Sequence, residues 1–242
     1  MTDLTISPLR GLPELREGDD LARLVVERAE LQGRDILVVA QKAISKIEGR
    51  IVRLDDVEPS ARARALAGDG DPRRIEVILR EAKRIVRTRG SLLITETHHG
   101  FVCASSGVDA SNAPQPGTVV LLPVDPDASA ERLRSALGEL TGSDVGVVVS
   151  DSFGRPWRRG TTDIAIGAAG LDVLLDLRGE CDANGYELTS TVIAIADEIA
   201  GAAQLVMGKL DRTPVAIVRG LDAGADGRAR DLVMPAERNL FP

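Results

Sequence analysis

DVGVVVSDSFGRPWRRGTTDIAIGAAG, residues 144–170, carries the pattern on which a reading of this chain turns. Val145 to Val149 is a β-branched run bounded by polar residues and too short for a helix, so it reads as a buried strand. Asp151 then stands at the strand's end, flanked by Ser150 and Ser152. In mixed α/β proteins ligands gather where strands stop and backbone groups are free, so a carboxylate delivered there suits a metal ion or a phosphate. Gly154, Pro156 and Gly160 follow as a stiff, turned loop presenting Arg155, Arg158 and Arg159, whose planar forks match carboxylate or phosphate. Phe153 and Trp157 share that loop, and a lone tryptophan placed outside the core covers a ligand or packs on a partner. A capped turn with solvated arginines is the plainer account. The convergence of carboxylate, hydroxyls, guanidinium groups and rings in one short stretch favours a functional one.

Composition narrows the classes. A chain of 242 residues fits one large domain or two lobes, and 43% hydrophobic with 28% charged residues describes a folded, soluble protein. A net charge of -7 argues against general binding to nucleic acid or an anionic membrane, which depends on a basic face. Cys103 and Cys181 are the only cysteines, which leaves no disulfide framework and little for a zinc site. The N-terminus is acidic and broken by prolines, and no apolar run is long enough to span a bilayer, so a cytoplasmic location is expected.

Along the chain, Leu4 to Ile6 is expected as a short strand, and a helix capped by Asp19 or Asp20 runs to Gln32. Ile36 to Ala40 is a buried strand, followed directly by Gln41, Lys42 and Lys46. The chain uses 26 arginines and four lysines, so a retained lysine marks a place for a compact ammonium, such as a phosphate contact. Arg50 to Leu54 reads as a strand, and Pro72 opens a helix to about Thr88. Ser91 to Thr95 and Gly100 to Ser105 form a hairpin, with His98 and His99 as turn residues. GVDASNAPQPG, residues 107–117, offers Asp109 and Asn112 from a loop after a strand, either as an Asx turn or as oxygens around one hard cation or nucleotide. Thr118 to Leu122 is a strand and Ser129 to Leu140 an amphipathic helix. Val173 to Leu177 is a strand, and Thr191 to Met207 a helix whose alanines suit close packing on another helix or subunit. Pro214 to Val218 is a last core strand. Without a clean βαβ repeat, the class is mixed α+β with largely antiparallel sheets and packed helices.

Dinucleotide, serine-hydrolase and zinc-protease motifs are absent, and GAAQLVMGK fails the Walker spacing. The run SDSFGRPWRRGTTDIAIGAAG resembles the signature segment of the coenzyme F420-0:L-glutamate ligases. The resemblance extends through GLPELREGDDL, VVAQKAISKIEGR, GFVCASSGVDASNAP, DLRGECDANGYELTSTVIAIADEIAGAAQLVMGK and TPVAIVRG. It implies a GTP-dependent enzyme, with a family-specific fold and an intertwined homodimer, that adds L-glutamate to coenzyme F420-0 and then, γ-linked, to the product. It places nucleotide contacts at Gly11, Leu12, Pro13, Glu14, Gln41, Lys42, Lys46, Asn112, Gln204, Gly208 and Lys209. Asp109 and Asp151 become the catalytic carboxylates and, with Ser152 and Gln204, ligands for two divalent ions, Mg²⁺ or Mn²⁺, with K⁺ as a further candidate. Arg155, Arg158 and Arg159 are candidates to hold an acidic substrate on charge and place alone. The expected organisation is one catalytic domain over residues 1–242, without the C-terminal flavin reductase domain found in some members. Alternatives are a ligase for another polycarboxylate and a non-catalytic nucleotide-binding protein.

Overall fold

The two apolar runs read as buried strands lie side by side at the centre of the molecule. The structure, a computed structural model, describes residues 3–224 and 227–240. In chain order the first half contains Thr5–Pro8 (β1), Leu21–Val26 (α1), Ile36–Ala40 (β2), Gln41–Ile47 (α2), Ile51–Arg53 (β3), Ala61–Ala67 (α3) and Pro72–Glu81 (α4). Ala82–Arg89 (β4), Leu92–Thr97 (β5), Val102–Ala104 (β6), Thr118–Val120 (β7) and Pro126–Thr141 (α5) follow. The rest comprises Gly146–Arg155 (β8), Arg158–Ala169 (β9), Leu175–Asp176 (β10), Val192–Ile193 (β11), Ile195–Met207 (α6) and Val215–Arg219 (β12).

The main sheet has the order β1-β12-β2-β8-β9. Only β2 and β8 are parallel; every other neighbouring pair is antiparallel, so the α+β class with mostly antiparallel sheets holds. Because β2 and β8 are covered on both faces, they are apolar throughout instead of alternating. Leu37, Val39, Val147 and Val149 enter one core with α1, α2 and α5; Ile36, Val38 and Val148 enter the other beneath α6. The start of α5 comes close to β9 because residue 167 is glycine. A Cβ there would lie 2.3 Å from the carbonyl oxygen of Pro126. A smaller lobe stacks α3 and α4 on the β3–β7 pair and the β4-β5-β6 sheet.

Several expectations change. The helix from Pro72 stops at Glu81, and Ala82 to Arg89 is strand β4 paired with β5. Two register shifts, between Ala82 and Arg84 and between Ile85 and Arg87, break the two-residue period and hide a strand rich in β-branched residues. Helix α1 keeps its Asp20 cap but ends at Val26, where the Arg28 side chain folds back onto the Leu24 carbonyl (2.7 Å) and onto that of Gly11 (3.0 Å). Helix α6 begins at Ile195 because Val192 and Ile193 pair with Leu175 and Asp176. Its alanines, Ala196, Ala200 and Ala203, are buried against this chain's own sheet, which corrects the reading of a face seeking a neighbour. Asp151 does not end its strand: β8 continues to Arg155 and returns as β9. The expected loop is a hairpin closed at Pro156 and Trp157, with Trp157 in the left-handed region (φ 56°). His98 and His99 do lie in the β5–β6 turn, His99 Nε2 sitting 2.9 Å from the Pro123 carbonyl. Among the described residues no helix is long and apolar enough to cross a membrane.

Candidate active site

Where β2 stops, α2 starts with no intervening loop, so Lys42 and Lys46 fall one helical turn apart on the same face. That face looks into a cleft of about 1140 Å³ between the main sheet and the smaller lobe. Lys42 Nζ donates to Asp109 Oδ2 at 2.6 Å and to the Ser111 carbonyl and hydroxyl oxygens at 2.7 Å each. Lys46, almost fully buried, donates to Glu14 Oε1 at 2.5 Å, which ties the turn before α1 to the cleft. Gln41 is also buried, and among the described residues its Oε1 has no donor.

Asp109 is held by its backbone, which exchanges hydrogen bonds with Val120 at 3.0 and 2.8 Å. Its carboxylate accepts from the Ser111 N–H and hydroxyl, both at 2.8 Å, which is the Asx-type turn the sequence allowed. Burial pushes its pKa upward, but the Lys42 ammonium and the Ser111 donors outweigh that and hold it below the ordinary range. Asp151 has the opposite balance. Dense protein around the carboxyl raises its pKa first, and Asp163 and Asp109 raise it further against the Ser152 N–H and Lys42, to about 7. A carboxyl so placed accepts a cation readily, because a bound positive charge removes the repulsion that protonation otherwise relieves.

Successive strand residues point to opposite faces, so Asp151 and Ser152 address different parts of the cleft. Asp151 feels Asp109 and Lys42. Ser152 Oγ donates to Asp163 Oδ1 at 2.6 Å and accepts from Gln204 Nε2 of α6 at 3.4 Å. Ser150 Oγ reaches the other oxygen of Asp163 at 3.2 Å. Asp163 therefore orients both serines that flank Asp151, from the neighbouring strand β9. It was missed in the sequence because its role depends on the β8–β9 pairing, in which Ser152 lies opposite Asp163. Gly208 and Lys209 line the cleft just past α6, and Asn112, left-handed at φ 54°, lines it from the Asp109 loop. Leu12, Pro13 and Glu14 form part of the same wall.

The donors available around Asp109, Asp151, Ser152 and Gln204 are all oxygens, a set that fits hard divalent cations. Cys103 also lines the cleft, but burial, with the charge of Asp151, pushes its thiol up to about 12, which removes it as a nucleophile.

The family model for F420-0:gamma-glutamyl ligase matches residues 11–220. The chain belongs to that family. It is 48% identical to the coenzyme F420:L-glutamate ligase of Methanopyrus kandleri over 98% of this chain and 97% of that protein. It is 44% identical to the protein of the same name from Methanocaldococcus jannaschii, covering 95% and 94%. With that from Archaeoglobus fulgidus the identity is 41%, covering 98% and 95%. As a member of this family, the chain brings most of the residues singled out by resemblance to one cleft. Gly11 stands just outside its lining, with its carbonyl occupied by Arg28. Arg155, Arg158 and Arg159 are carried to the tip of the β8–β9 hairpin and do not line the cleft.

Proposed function

We propose that the protein is a GTP-dependent ligase that adds L-glutamate to coenzyme F420-0 and then, γ-linked, to the monoglutamylated product. The observation that carries this reading is the opposed pair Asp109 and Asp151 beside Lys42, in a cleft large enough for more than one substrate. Asp109 and Asp151, with Ser152 and Gln204, would hold two divalent ions, Mg²⁺ or Mn²⁺. When bound, such ions supply positive charge against the β- and γ-phosphates. Lys42, Lys46 and Lys209 add charge-assisted contacts to the same phosphates, while Gln41 and Asn112 offer amides to the nucleotide.

The acceptor's carboxylate oxygen attacks the γ-phosphorus, the bond to the β-bridging oxygen breaks, and GDP leaves. The resulting acyl phosphate carries a good leaving group where the carboxylate had none. The amine of L-glutamate, having lost its proton, attacks the acyl carbon, the C–O bond to phosphate breaks, and an amide and inorganic phosphate are released. A homodimer built on the β10–β11 arm completes the reading. Leu175 and Val192 are exposed on that pair of very short strands, and Leu174 and Tyr186 are exposed in the segments beside and between them.

Mass spectrometry of coenzyme F420-0 incubated with the protein, GTP, L-glutamate and Mn²⁺ tests the reaction directly. Glutamyl products are expected only in the complete mixture. An unmodified coenzyme would refute the assignment of acceptor.

A further inference from the structure

Among the described residues, five cationic side chains line the cleft: Lys42, Lys46, Arg74, Lys209 and Arg212. The first two are paired with Asp109 and Glu14, and among the described residues Arg74 makes no ion pair at all. Its neighbour in the sequence is placed quite differently. Arg73 contacts both Asp71 (2.8 Å) and Asp55 (2.7 Å), whereas Arg74 has only a 3.4 Å approach from Nη2 to the Val108 carbonyl. Its Nε is covered by protein and, among the described residues, bonded to nothing, which leaves a buried donor unsatisfied.

Such a side chain is held by one long hydrogen bond and no carboxylate, so a planar anion in the cleft can draw the guanidinium inward and relieve the unmet donor. The position also separates it from the lysines. Arg74 comes from the first turn of α4 in the smaller lobe, while Lys42 and Lys46 come from α2 and Lys209 from the end of α6. Val108, which it approaches, directly precedes Asp109. Compact ammonium groups gather where phosphates are proposed; of the two planar forks lining the cleft, Arg212 follows α6 close to Lys209, whereas Arg74 comes from the smaller lobe, whose β5 and β6 supply Leu92 and Ala104 to the same cleft.

We infer that Arg74 holds a carboxylate of the incoming amino acid, L-glutamate, and so helps to set the specificity of the second half-reaction. This rests on the ligase reading above. Arg74→Met and Arg74→Lys, assayed with saturating coenzyme and metal, should raise the KM for L-glutamate by at least about tenfold, as expected for loss of a bidentate charged contact. The KM for GTP should stay within about twofold. The melting temperature of Arg74→Met should not fall, because the substitution removes an unsatisfied donor and no ion pair. An unchanged KM for L-glutamate, or a rise in the KM for GTP instead, would overturn the inference, as would a lower melting temperature with both constants intact. Saturation-transfer NMR of L-glutamate on the wild-type protein with Mg²⁺ and GDP keeps the two claims separate. Wild-type protein that forms no glutamyl product defeats the ligase reading, whereas glutamate binding that survives in Arg74→Met defeats this one alone.

Discussion

Asp35 and Asp151 stand at opposite ends of the parallel pair β2–β8, and their surroundings could hardly differ more. Asp35 precedes β2, is 1% exposed, and receives both Nε and Nη2 of Arg219 at 2.7 Å and the Gln32 N–H at 2.8 Å. Its charge is matched in the fold itself. Asp151, at the other end, faces two further carboxylates and has only the Ser152 N–H and a distant share of Lys42 in its favour. One end of the sheet uses a carboxylate to fasten β12 to β2. The other leaves charge unmatched, and that imbalance is what a nucleotide-bound cation would complete.

The sharpest way to break the comparison is to neutralise each carboxyl environment in turn. Asp151→Asn should lower turnover by about 10³-fold or more, roughly 4 kcal/mol of transition-state stabilisation, while the melting temperature holds or rises. Steady-state kinetics beside thermal unfolding read both quantities. At the other end, Arg219→Met strands the buried Asp35 and should cost about 3 kcal/mol of stability, with turnover per folded molecule unchanged. Urea unfolding measures it. If Arg219→Met abolished activity without destabilising the protein, the division between a fastening end and a working end would be wrong.

Asp163 supplies an intermediate case, since it orients Ser152, one of the ligands proposed for the divalent ions, without being proposed as a ligand itself. Asp163→Asn keeps the shape but loses the charge that orients Ser150 and Ser152, and a 10- to 100-fold loss of metal affinity is the rough expectation for such an outer partner. Mn²⁺ titration followed by electron paramagnetic resonance would show it even in protein that turns over slowly. Unaltered affinity would reduce Asp163 to a packing role.

How far these features were legible in the sequence depended on whether they were local. Ile36–Ala40 was readable because a both-faces-buried strand is a compact apolar run needing no knowledge of its neighbours. Strand β4 was not, because Ile75, Ile78 and Leu79 lead into Ile85 and Val86 at spacings that suit a helix, and only pairing with β5 and two register shifts decide otherwise. The cleft follows the same rule. Asp109, Asp151, Lys42 and Lys46 sit just after or within recognisable elements, and resemblance pointed to them. Asp163 gains its role from a cross-strand neighbour, and Arg74 is one among 26 arginines. Its distinguishing property, a buried Nε without an acceptor among the described residues, exists only in three dimensions.

The smallest expected effect sharpens the comparison through pH. The Asp151 carboxyl titrates near 3.8 in the unfolded chain but about 7 in the folded protein. Between those values the native state binds the extra proton, so stability of the metal-free protein must fall as pH rises from about 4 to about 7 and level off above. Asp151 remains partly open to solvent, so the change is discounted to roughly 1 kcal/mol, or about 2–4 °C in melting temperature for a chain of this size. Differential scanning calorimetry of metal-free wild type and Asp151→Asn, at pH 5 and pH 8, isolates the slope, since the amide cannot titrate and should flatten it. Saturating Mg²⁺ with GDP should reverse the sign, because a cation binds the ionised carboxylate and competes with the proton. A slope that persisted in Asp151→Asn would move the titration elsewhere in the cleft. A slope insensitive to Mg²⁺ would separate the unmatched charge from the cation proposed to complete it.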